Sequence, residues 1–319
     1  MFSRYTQFFA HRAFASAAGA GKSVGFVGLG CMGVPMAGNL KAAGFNVKGY
    51  DIMPAARQAA NDHGVETVDS LAEAASNVDY VVTALPKTEH VEEALTGAGG
   101  IFQSARKGTL ICDVSTIDPE GSKRFNKQAK ELGLTFLDTP MSGGTTGAEN
   151  ATLTFMVGAD TEAEYEAAKV VLNGMGKNFF HCGGPGTGEI AKLTNNLVLG
   201  ITMVGTAEGM AIGEKLGIDP IILQKIMAVS SARSWSLDVM CPRPGCIPTS
   251  PSSNDYKGGF QVGLIKKDMH LATECARKVD ADTSILEFAK DYYQQLEDRG
   301  AGGKDFGYVF QYIMKNKNL

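Results

Sequence analysis

The sequence lacks three features that would assign it to a common functional class. It has no uninterrupted apolar run of about 18 residues, which argues against a membrane span. It has no strongly basic segment, since the net charge is -4 and the basic runs are pairs such as Lys266-Lys267, so nucleic acid is not expected as a partner. Its six cysteines contain no C-x-x-C pair, which favours free, buried thiols in a reducing compartment over disulfides or a metal centre.

Acidic residues are missing from the start of the chain, and the first carboxylate is Asp51. The opening segment, MFSRYTQFFAHRAFASAAGAGKS, carries Arg4, Arg12 and Lys22 among aromatic, serine and alanine residues. Such a leader before an abrupt apolar strand is typical of a mitochondrial transit peptide, and the alternative is a disordered tail. The sequence therefore predicts a transit peptide over residues 1–22 and a location in the mitochondrial matrix.

Histidines are few and far apart. His11 lies in the leader, and the other four, at positions 63, 90, 181 and 270, show no H-x-x-x-H spacing. Without clustered ligands, we predict no metal site.

Two domains are expected from 319 residues with 44% hydrophobic content. Apolar strand-like runs alternate with helical patterns until about Gly186, and only helical patterns follow. This order predicts an α/β fold, with an N-terminal Rossmann-type doubly wound, mostly parallel sheet followed by an all-α C-terminal domain. We place the first domain at residues 23–185 and the helical substrate and dimerisation domain at residues 186–319.

A glycine motif opens the first domain in VGFVGLGCMGVPMAGNLKAAGFNVKGYD. The spacing Gly28-x-Gly30-x-x-Gly33 follows a strand and begins a helix, and Asp51 ends the next strand. Each glycine has a role in dinucleotide binding: a tight turn, close approach of the pyrophosphate, and packing of helix on strand. The motif residues Gly28, Leu29, Gly30, Cys31, Met32 and Gly33 are therefore predicted cofactor contacts.

Asp51 favours NAD over NADP, because a carboxylate at the end of the second strand accepts hydrogen bonds from ribose hydroxyls and repels a 2′-phosphate. The nearest following cation is Arg57, which we expect to lie too far away to bind such a phosphate. An ordinary helix N-cap remains a second interpretation of Asp51.

Polar or turn residues follow the later predicted strands, where ligands gather in open α/β sheets. The predicted cofactor contacts at these strand ends are Leu85, Pro86, His90, Ser115 and Thr116. For His90, a solvated helix position is an equal alternative. Ser142-Gly143-Gly144 forms a turn whose hydroxyl and backbone N–H groups suit a small carboxylate, although a generic loop explains it almost as well.

The segment GTGEIAKLTNNLVLG places Lys192 and Asn196 four residues apart, and therefore on one face of a mostly apolar helix. From position 24 to about 315 the chain resembles the β-hydroxyacid dehydrogenase family, through GFVGLGCMGVPMA, DVSTIDP, SGGTTGAENATLTFMVG, GTGEIAKLTNN, GLIKKDMHLA and KDFGYVF. The Pro/Ser-rich loop SWSLDVMCPRPG…SSNDYKGGF resembles the branch that oxidises 3-hydroxyisobutyrate in valine breakdown.

The resemblance implies an NAD-dependent oxidation of a small β-hydroxy acid. Lys192 is then the general base, with Asn196 beside it binding substrate. Ser142, Gly143 and Gly144 match the family's carboxylate-binding turn, and Lys267 matches a lysine on the cofactor side. A lysine can act as a base when a cationic nicotinamide ring and partial burial lower its pKa.

Two other functions stay open. An NAD(P)H-dependent reductase of a semialdehyde or glyoxylate would keep Lys192 and the fold, but Asp51 argues against NADPH. Non-catalytic binding proteins of this superfamily replace the lysine and add basic segments, and this chain does neither. The apolar stretch LVLGITMVGTAEGMAIG predicts burial against a second copy, as in a dimer or tetramer, although a single core helix would look the same.

Overall fold

The computed structural model describes residues 19–315, so nearly all of the predicted leader lies outside the described residues. The chain divides into two compact units, Met1–Lys192 and Leu193–Leu319. The first unit alternates strands with helices, as predicted. Its strands are β1 Ser23–Val27, β2 Asn46–Tyr50, β3 Glu66–Thr67, β4 Tyr80–Thr83, β5 Leu110–Asp113, β6 Thr135–Asp138, β7 Met141–Ser142, β8 Leu153–Gly158 and β9 Gly176–Gly183. Its helices are α1 Gly33–Ala42, α2 Pro54–Asp62, α3 Leu71–Ala75, α4 Thr88–Thr96, α5 Ile101–Ser104, α6 Pro119–Glu131, α7 Gly144–Glu149 and α8 Glu162–Leu172.

The sheet has the order β3-β2-β1-β4-β5-β6-β8-β7, and β9 pairs with β8. The strands from β3 to β6 are all parallel, whereas β8 runs antiparallel to β6 and β7. The chain reverses its direction of travel across the sheet between β1 and β4, where doubly wound folds bind their ligands. The predicted fold class is confirmed.

Successive residues of the central strands point into two different cores. Val24 and Phe26 of β1 join the core that contains Met36 of α1, whereas Val27 joins the core that contains Phe125 of α6. Because strand side chains alternate between the two faces, a strand covered by helices on both sides must be apolar throughout. This explains why β1, β4 and β5 have nearly continuous apolar sequences.

The second unit is helical. The long helix α9 Thr187–Lys215 begins in the first unit and continues into the second. It is followed by α10 Pro220–Ala228, α11 Trp235–Asp238, a 3₁₀ turn at Pro251–Asn254, α12 Val262–Lys278, α13 Ser284–Asp298, a 3₁₀ turn at Phe306–Tyr308 and α14 Val309–Met314. The Asp219 carboxylate caps α10 by accepting the N–H groups of Ile221 and Ile222 at 2.7 and 3.2 Å.

Helix α9 supplies the centre of the second unit's core. Met203, Ala207 and Met210 are buried there together with residues of α12, α13 and α14. The Tyr293 hydroxyl donates to the Gly200 carbonyl oxygen at 3.2 Å, so this buried phenol has a hydrogen-bond partner. By length and mean hydropathy, α9 alone among the described helices is apolar enough to cross a membrane, a test that the core helix of a soluble protein also passes.

Side-chain hydrogen bonds tie down the Pro/Ser-rich loop between α11 and α12. The hydroxyls of Ser250 and Ser252 both donate to the Cys241 carbonyl oxygen, at 3.0 and 2.6 Å. All six cysteines are free thiols, but only Cys112 and Cys241 are buried. The expectation of buried thiols is therefore wrong for the rest, most clearly for Cys31, which lies exposed in the glycine-rich turn.

Candidate functional site

The glycine-rich turn joins β1 to α1 and leaves room for a ligand close to its backbone. Gly28 has a φ of 97°, in the left-handed region that favours glycine. A Cβ on Gly33 would lie 1.9 Å from the Gly28 carbonyl oxygen, whereas a Cβ on Gly30 would meet nothing within 4 Å. Gly33 is therefore required for packing and Gly30 for open space, which is the division of roles that a dinucleotide pyrophosphate needs.

Asp51 holds this turn against the end of β2. Its Oδ2 accepts the Leu29 N–H at 2.7 Å and its Oδ1 accepts the Met53 N–H at 2.8 Å. The N-cap residue of α2 is Met53, so Asp51 is not that helix's N-cap. Asp51 thus joins the glycine turn to the second strand, and its binding of ribose hydroxyls stays a prediction.

One expectation about this strand end is wrong. Arg57 is not remote, because its Nη1 donates to the Asp51 carbonyl oxygen at 2.7 Å. Six residues separate the two in sequence, but α2 starts at once after Met53 and its first turn brings Arg57 back to the strand end. A guanidinium and a carboxylate therefore share this position.

The ends of β4 and β5 are linked by hydrogen bonds. The Leu85 N–H donates to the Ser115 hydroxyl at 2.9 Å, and the Thr83 hydroxyl donates to Oδ1 of Asp113 at 2.8 Å. Leu85 also faces the glycine turn, since a Cβ on Gly28 would lie 3.1 Å from its Cδ2. The structure thus brings Gly28, Leu85 and Ser115 together at the carboxyl ends of the central strands.

The remaining predicted cofactor contacts of the first unit have different environments. Thr116 is half-buried after β5, and Pro86 is exposed before α4. His90 is exposed on α4, which agrees equally with cofactor contact and with the solvated helix position. Leu29 is buried, Met32 half-buried and Cys31 exposed. Their cofactor roles stay predictions.

The turn after β7 presents the expected groups for a small anion. Ser142 is half-buried and pairs with Thr154 of β8, and Gly143 and Gly144 are exposed. The two glycines have φ values of 138° and 63°, which other residues adopt only with strain. Glycine is therefore needed for the backbone path of this turn, whatever the turn binds.

Lys192 and Asn196 lie one turn apart on α9. Lys192 is 8% exposed and Asn196 is 1% exposed. Burying an ammonium and a carboxamide on an otherwise apolar helix is costly unless both groups are hydrogen-bonded. A solvated surface lysine is thereby excluded as an explanation of Lys192.

Asn196 belongs to a polar cluster within the second unit. Its Nδ2 donates to Oδ2 of the buried Asp268 at 2.6 Å, and the Lys267 Nζ lies 3.1 Å from the other carboxylate oxygen. Because the amide nitrogen is committed to Asp268, the orientation of the Asn196 carboxamide is fixed. Asp268 is therefore the side chain that orients Asn196.

Sequence reasoning missed Asp138, a buried carboxylate at the end of β6. Its oxygens accept the N–H groups of Gly186 and Glu189, at 2.7 and 3.1 Å. Burial raises the pKa of Asp138 to about 6, and those N–H groups act in the opposite direction. The available signal was an acid directly after the apolar strand residues Phe136 and Leu137.

Between residues 19 and 315, no three His, Cys, Asp or Glu side chains are grouped so that they could hold a metal ion.

Two family models match nearly the whole described chain. Residues 23–184 match the NAD binding domain of 6-phosphogluconate dehydrogenase, and residues 186–313 match the NAD-binding domain of NADP-dependent 3-hydroxyisobutyrate dehydrogenase. Together with the open glycine turn and the acid beside it, the first match identifies NAD as the cofactor.

Relatives of known name match over similar lengths. The chain is 42% identical to the mitochondrial 3-hydroxyisobutyrate dehydrogenase of Homo sapiens, over 93% of this chain and 88% of that protein. It is 40% identical to the NAD-dependent L-serine dehydrogenase of Pseudomonas aeruginosa, over 90% of this chain and 96% of that protein. The structure of Mycobacterium tuberculosis 3-hydroxyisobutyrate dehydrogenase with L-serine gives a TM-score of 0.84 at 36% identity, covering 92% and 99% of the two chains. The chain therefore belongs to the 3-hydroxyisobutyrate dehydrogenase family of NAD-dependent β-hydroxyacid oxidoreductases.

Proposed function

We propose that the protein oxidises 3-hydroxyisobutyrate to methylmalonate semialdehyde with NAD, as a step of valine catabolism. The observation that carries this proposal is the buried Lys192, one turn before Asn196 on a mostly apolar helix. An ammonium held in such a place is suited to exchanging a proton with a substrate and not with bulk water.

The chemistry needs a base for the hydroxyl proton and an acceptor for the hydride. NAD, when bound, supplies the hydride acceptor. Lys192 takes the hydroxyl proton during oxidation and returns it to the alkoxide in reduction. Asn196, which Asp268 holds in place, forms a hydrogen bond to the substrate. It also limits the movement of Lys192, one turn earlier on the helix.

Substrate binding falls to the turn at Ser142, Gly143 and Gly144. Its hydroxyl and exposed backbone N–H groups suit the substrate carboxylate. The glycine turn, Asp51 and the ends of β4 and β5 hold NAD. We also assign Lys267 to the cofactor, on its match to the family's cofactor-side lysine. We assign most of the cofactor contacts and the carboxylate-binding turn to residues 23–185, and the remaining substrate contacts and the subunit contacts to residues 186–319.

L-Serine is the second candidate substrate. It is also a small β-hydroxy acid, and two relatives carry it in their descriptions: the Pseudomonas aeruginosa dehydrogenase and the Mycobacterium tuberculosis structure. The α-ammonium of serine distinguishes it from 3-hydroxyisobutyrate, which has a methyl group at that carbon. A site for hydroxyisobutyrate would leave that charge without a partner.

A kinetic panel separates the candidates. We expect kcat/KM for 3-hydroxyisobutyrate to exceed that for L-serine by about a hundredfold, the discrimination expected when an apolar pocket must bury an unpaired charge. The purified chain without residues 1–22 is assayed by NADH absorbance with both enantiomers of 3-hydroxyisobutyrate, with L-serine and with 4-hydroxybutyrate. NADPH with glyoxylate tests the reductase alternative. A higher kcat/KM for L-serine contradicts the proposed substrate.

We also propose that the protein works in the mitochondrial matrix as a homo-oligomer. Relatives in several eukaryotes are named mitochondrial. For the oligomer, the support is an exposed apolar face of α10, where Ile222, Ile226 and Val229 recur at helical spacing. Val229 is 87% exposed, and Ile222 and Ile226 are each 49% exposed, so these three side chains form an apolar strip on the surface.

Ile222→Glu is expected to weaken self-association, because it would bury a carboxylate in an apolar interface. Sedimentation velocity should show the wild-type protein as a dimer or tetramer, and the variant should dissociate at a concentration at least about tenfold higher. Val279→Glu is the control, since Val279 is also exposed but lies at the end of α12, outside that surface. A monomeric wild-type protein would contradict the proposed oligomer.

A further inference from the structure

The Asp138 carboxylate connects two segments that are far apart in sequence. It closes β6 and is 1% exposed. Its Oδ1 accepts the Gly186 N–H at 2.7 Å, and its Oδ2 accepts the Glu189 N–H at 3.1 Å, across 48 and 51 residues. Both N–H groups belong to the start of α9, where the helix itself offers no acceptor for them. Asp138 therefore caps α9 from another part of the first unit.

Two glycines make room for this carboxylate. A Cβ on Gly158 would lie 2.4 Å from Oδ1, and a Cβ on Gly188 would lie 2.8 Å from Oδ2. Any side chain at either position would displace the carboxylate from the helix start. Both glycines are therefore needed for Asp138 to reach the start of α9.

The segment that leads into α9 depends on glycines for its backbone path. Gly183 and Gly186 adopt φ values of 114° and 84°, which favour glycine. The Thr187 hydroxyl donates to the Gly184 carbonyl oxygen at 2.7 Å, within the same turn. The Asp138 carboxylate is a contact that joins this first turn to the end of β6.

The chain segments on either side of the Asp138 contacts lead directly to residues of the proposed site. Lys192 lies three residues after Glu189, so it follows the capped turn directly on α9. In the other direction, the Thr139 N–H donates to the Asp113 carbonyl oxygen at 2.8 Å, and the Ser142 turn follows three residues later. One side chain thereby links the turn proposed to bind the substrate carboxylate with the helix that carries the proposed base.

We propose that Asp138 is a positioning residue for the reaction, which sets the distance between the Lys192 ammonium and an acid bound at the Ser142 turn. The proposal rests on the role of Lys192 proposed above. Asp138 touches neither substrate nor cofactor in this scheme and acts through the first turn of α9. A displacement of about 1 Å in a reacting group is enough to slow an enzyme by about a hundredfold.

Asp138→Asn tests the proposal. The amide has a single acceptor oxygen, so its NH₂ group must face the N–H of Gly186 or of Glu189. We expect kcat to fall at least about tenfold, while the Kd for NAD stays within about twofold, a split that separates positioning from cofactor binding. Asp138→Ser keeps one acceptor and serves the same test if the Asn variant does not fold.

Asp305→Asn is the matched control. Asp305 is also buried, and its two oxygens accept the N–H groups of Gly307 and Phe260, each at 2.9 Å. Burial raises its pKa to about 6, as for Asp138. We expect a similar loss of Tm in both variants, but a change in kcat of less than about threefold for Asp305→Asn. Equal losses of kcat in the two variants would overturn the proposal.

A double-mutant cycle distinguishes this proposal from the role of Lys192 itself. If Asp138 acts through Lys192, Asp138→Asn should slow a Lys192→Ala protein by less than about twofold, because the group it positions is gone. Multiplicative losses in the double mutant would overturn the positioning role. Full activity of Lys192→Ala alone would instead refute the proposed base, and hydrogen exchange at Gly186 to Glu189 would still show whether Asp138 caps α9.

Discussion

Lys192→Ala is expected to lower kcat at least about a hundredfold, the range found when a general base is deleted. Water that enters the place of the lost side chain is a much weaker base than an amine and would not replace it. The Kd for NAD, measured by fluorescence titration, should stay within about threefold. Such a result would assign the lysine to the proton transfer, because binding would be nearly unchanged while turnover collapsed.

Two further variants make this experiment decisive. Lys215→Ala removes an exposed lysine from the last turn of the same helix and should change kcat by less than about twofold. In Lys192→Ala, small primary amines should restore part of the rate, and the restored rate should rise with the basicity of the amine. If Lys192→Ala keeps most of its activity, or if no amine restores it, Lys192 is not the base.

Asp51→Ala is expected to shift the cofactor preference towards NADP. The carboxylate accepts the Leu29 and Met53 N–H groups, and we propose that it also binds the ribose hydroxyls. Losing hydrogen bonds to a charged group costs about 1.5–3 kcal/mol, so kcat/KM for NAD should fall roughly ten- to a hundredfold. The value of kcat/KM for NADP should rise, because the repulsion of its 2′-phosphate is removed and the Arg57 guanidinium lies at the same strand end.

The control is Asp51→Ala combined with Arg57→Ala. In this double variant, kcat/KM for NADP should return towards the wild-type value, while kcat/KM for NAD should stay as low as in Asp51→Ala. Initial rates with both dinucleotides, at a saturating concentration of the hydroxy acid, give the two ratios. If Asp51→Ala leaves the ratio of kcat/KM for NAD and NADP unchanged, Asp51 does not select the cofactor.

Features set by neighbouring residues could be predicted from the sequence. The glycine turn depends on a motif of six residues and the strand before it, and the cap of α10 depends on Asp219 and the Pro220 that follows. The predicted doubly wound sheet followed from apolar runs, since strands buried on both faces cannot be polar. Local chemistry and burial were sufficient in these cases.

Strands β3 and β9 could not be predicted by the same reasoning. β3 has only two residues. β9 has mostly exposed or half-buried side chains, and its pairing with β8 is made through the backbone. A strand at the border of a sheet need not have an apolar sequence, so periodicity gives no signal there.

Contacts between residues far apart in the sequence could not be predicted either. Nothing near Asp138 in the sequence indicates that it accepts N–H groups of a helix 48 residues later. Arg57 was placed too far from Asp51 because a count of residues ignores the turn of α2 that reverses the chain. Both errors come from treating distance along the chain as distance in space.

The two separate cores of the sheet restrict where this protein can vary in length. Val81 of β4 faces one core and its neighbours Tyr80 and Val82 face the other, so inserting one residue within the strand would move each of its later side chains to the opposite core. Each core would then receive side chains shaped for the opposite layer. Natural or engineered changes in length should therefore concentrate in connections such as residues 97–100. Family members should differ in length there, while their central strands keep the same alternation of side chains between the two cores.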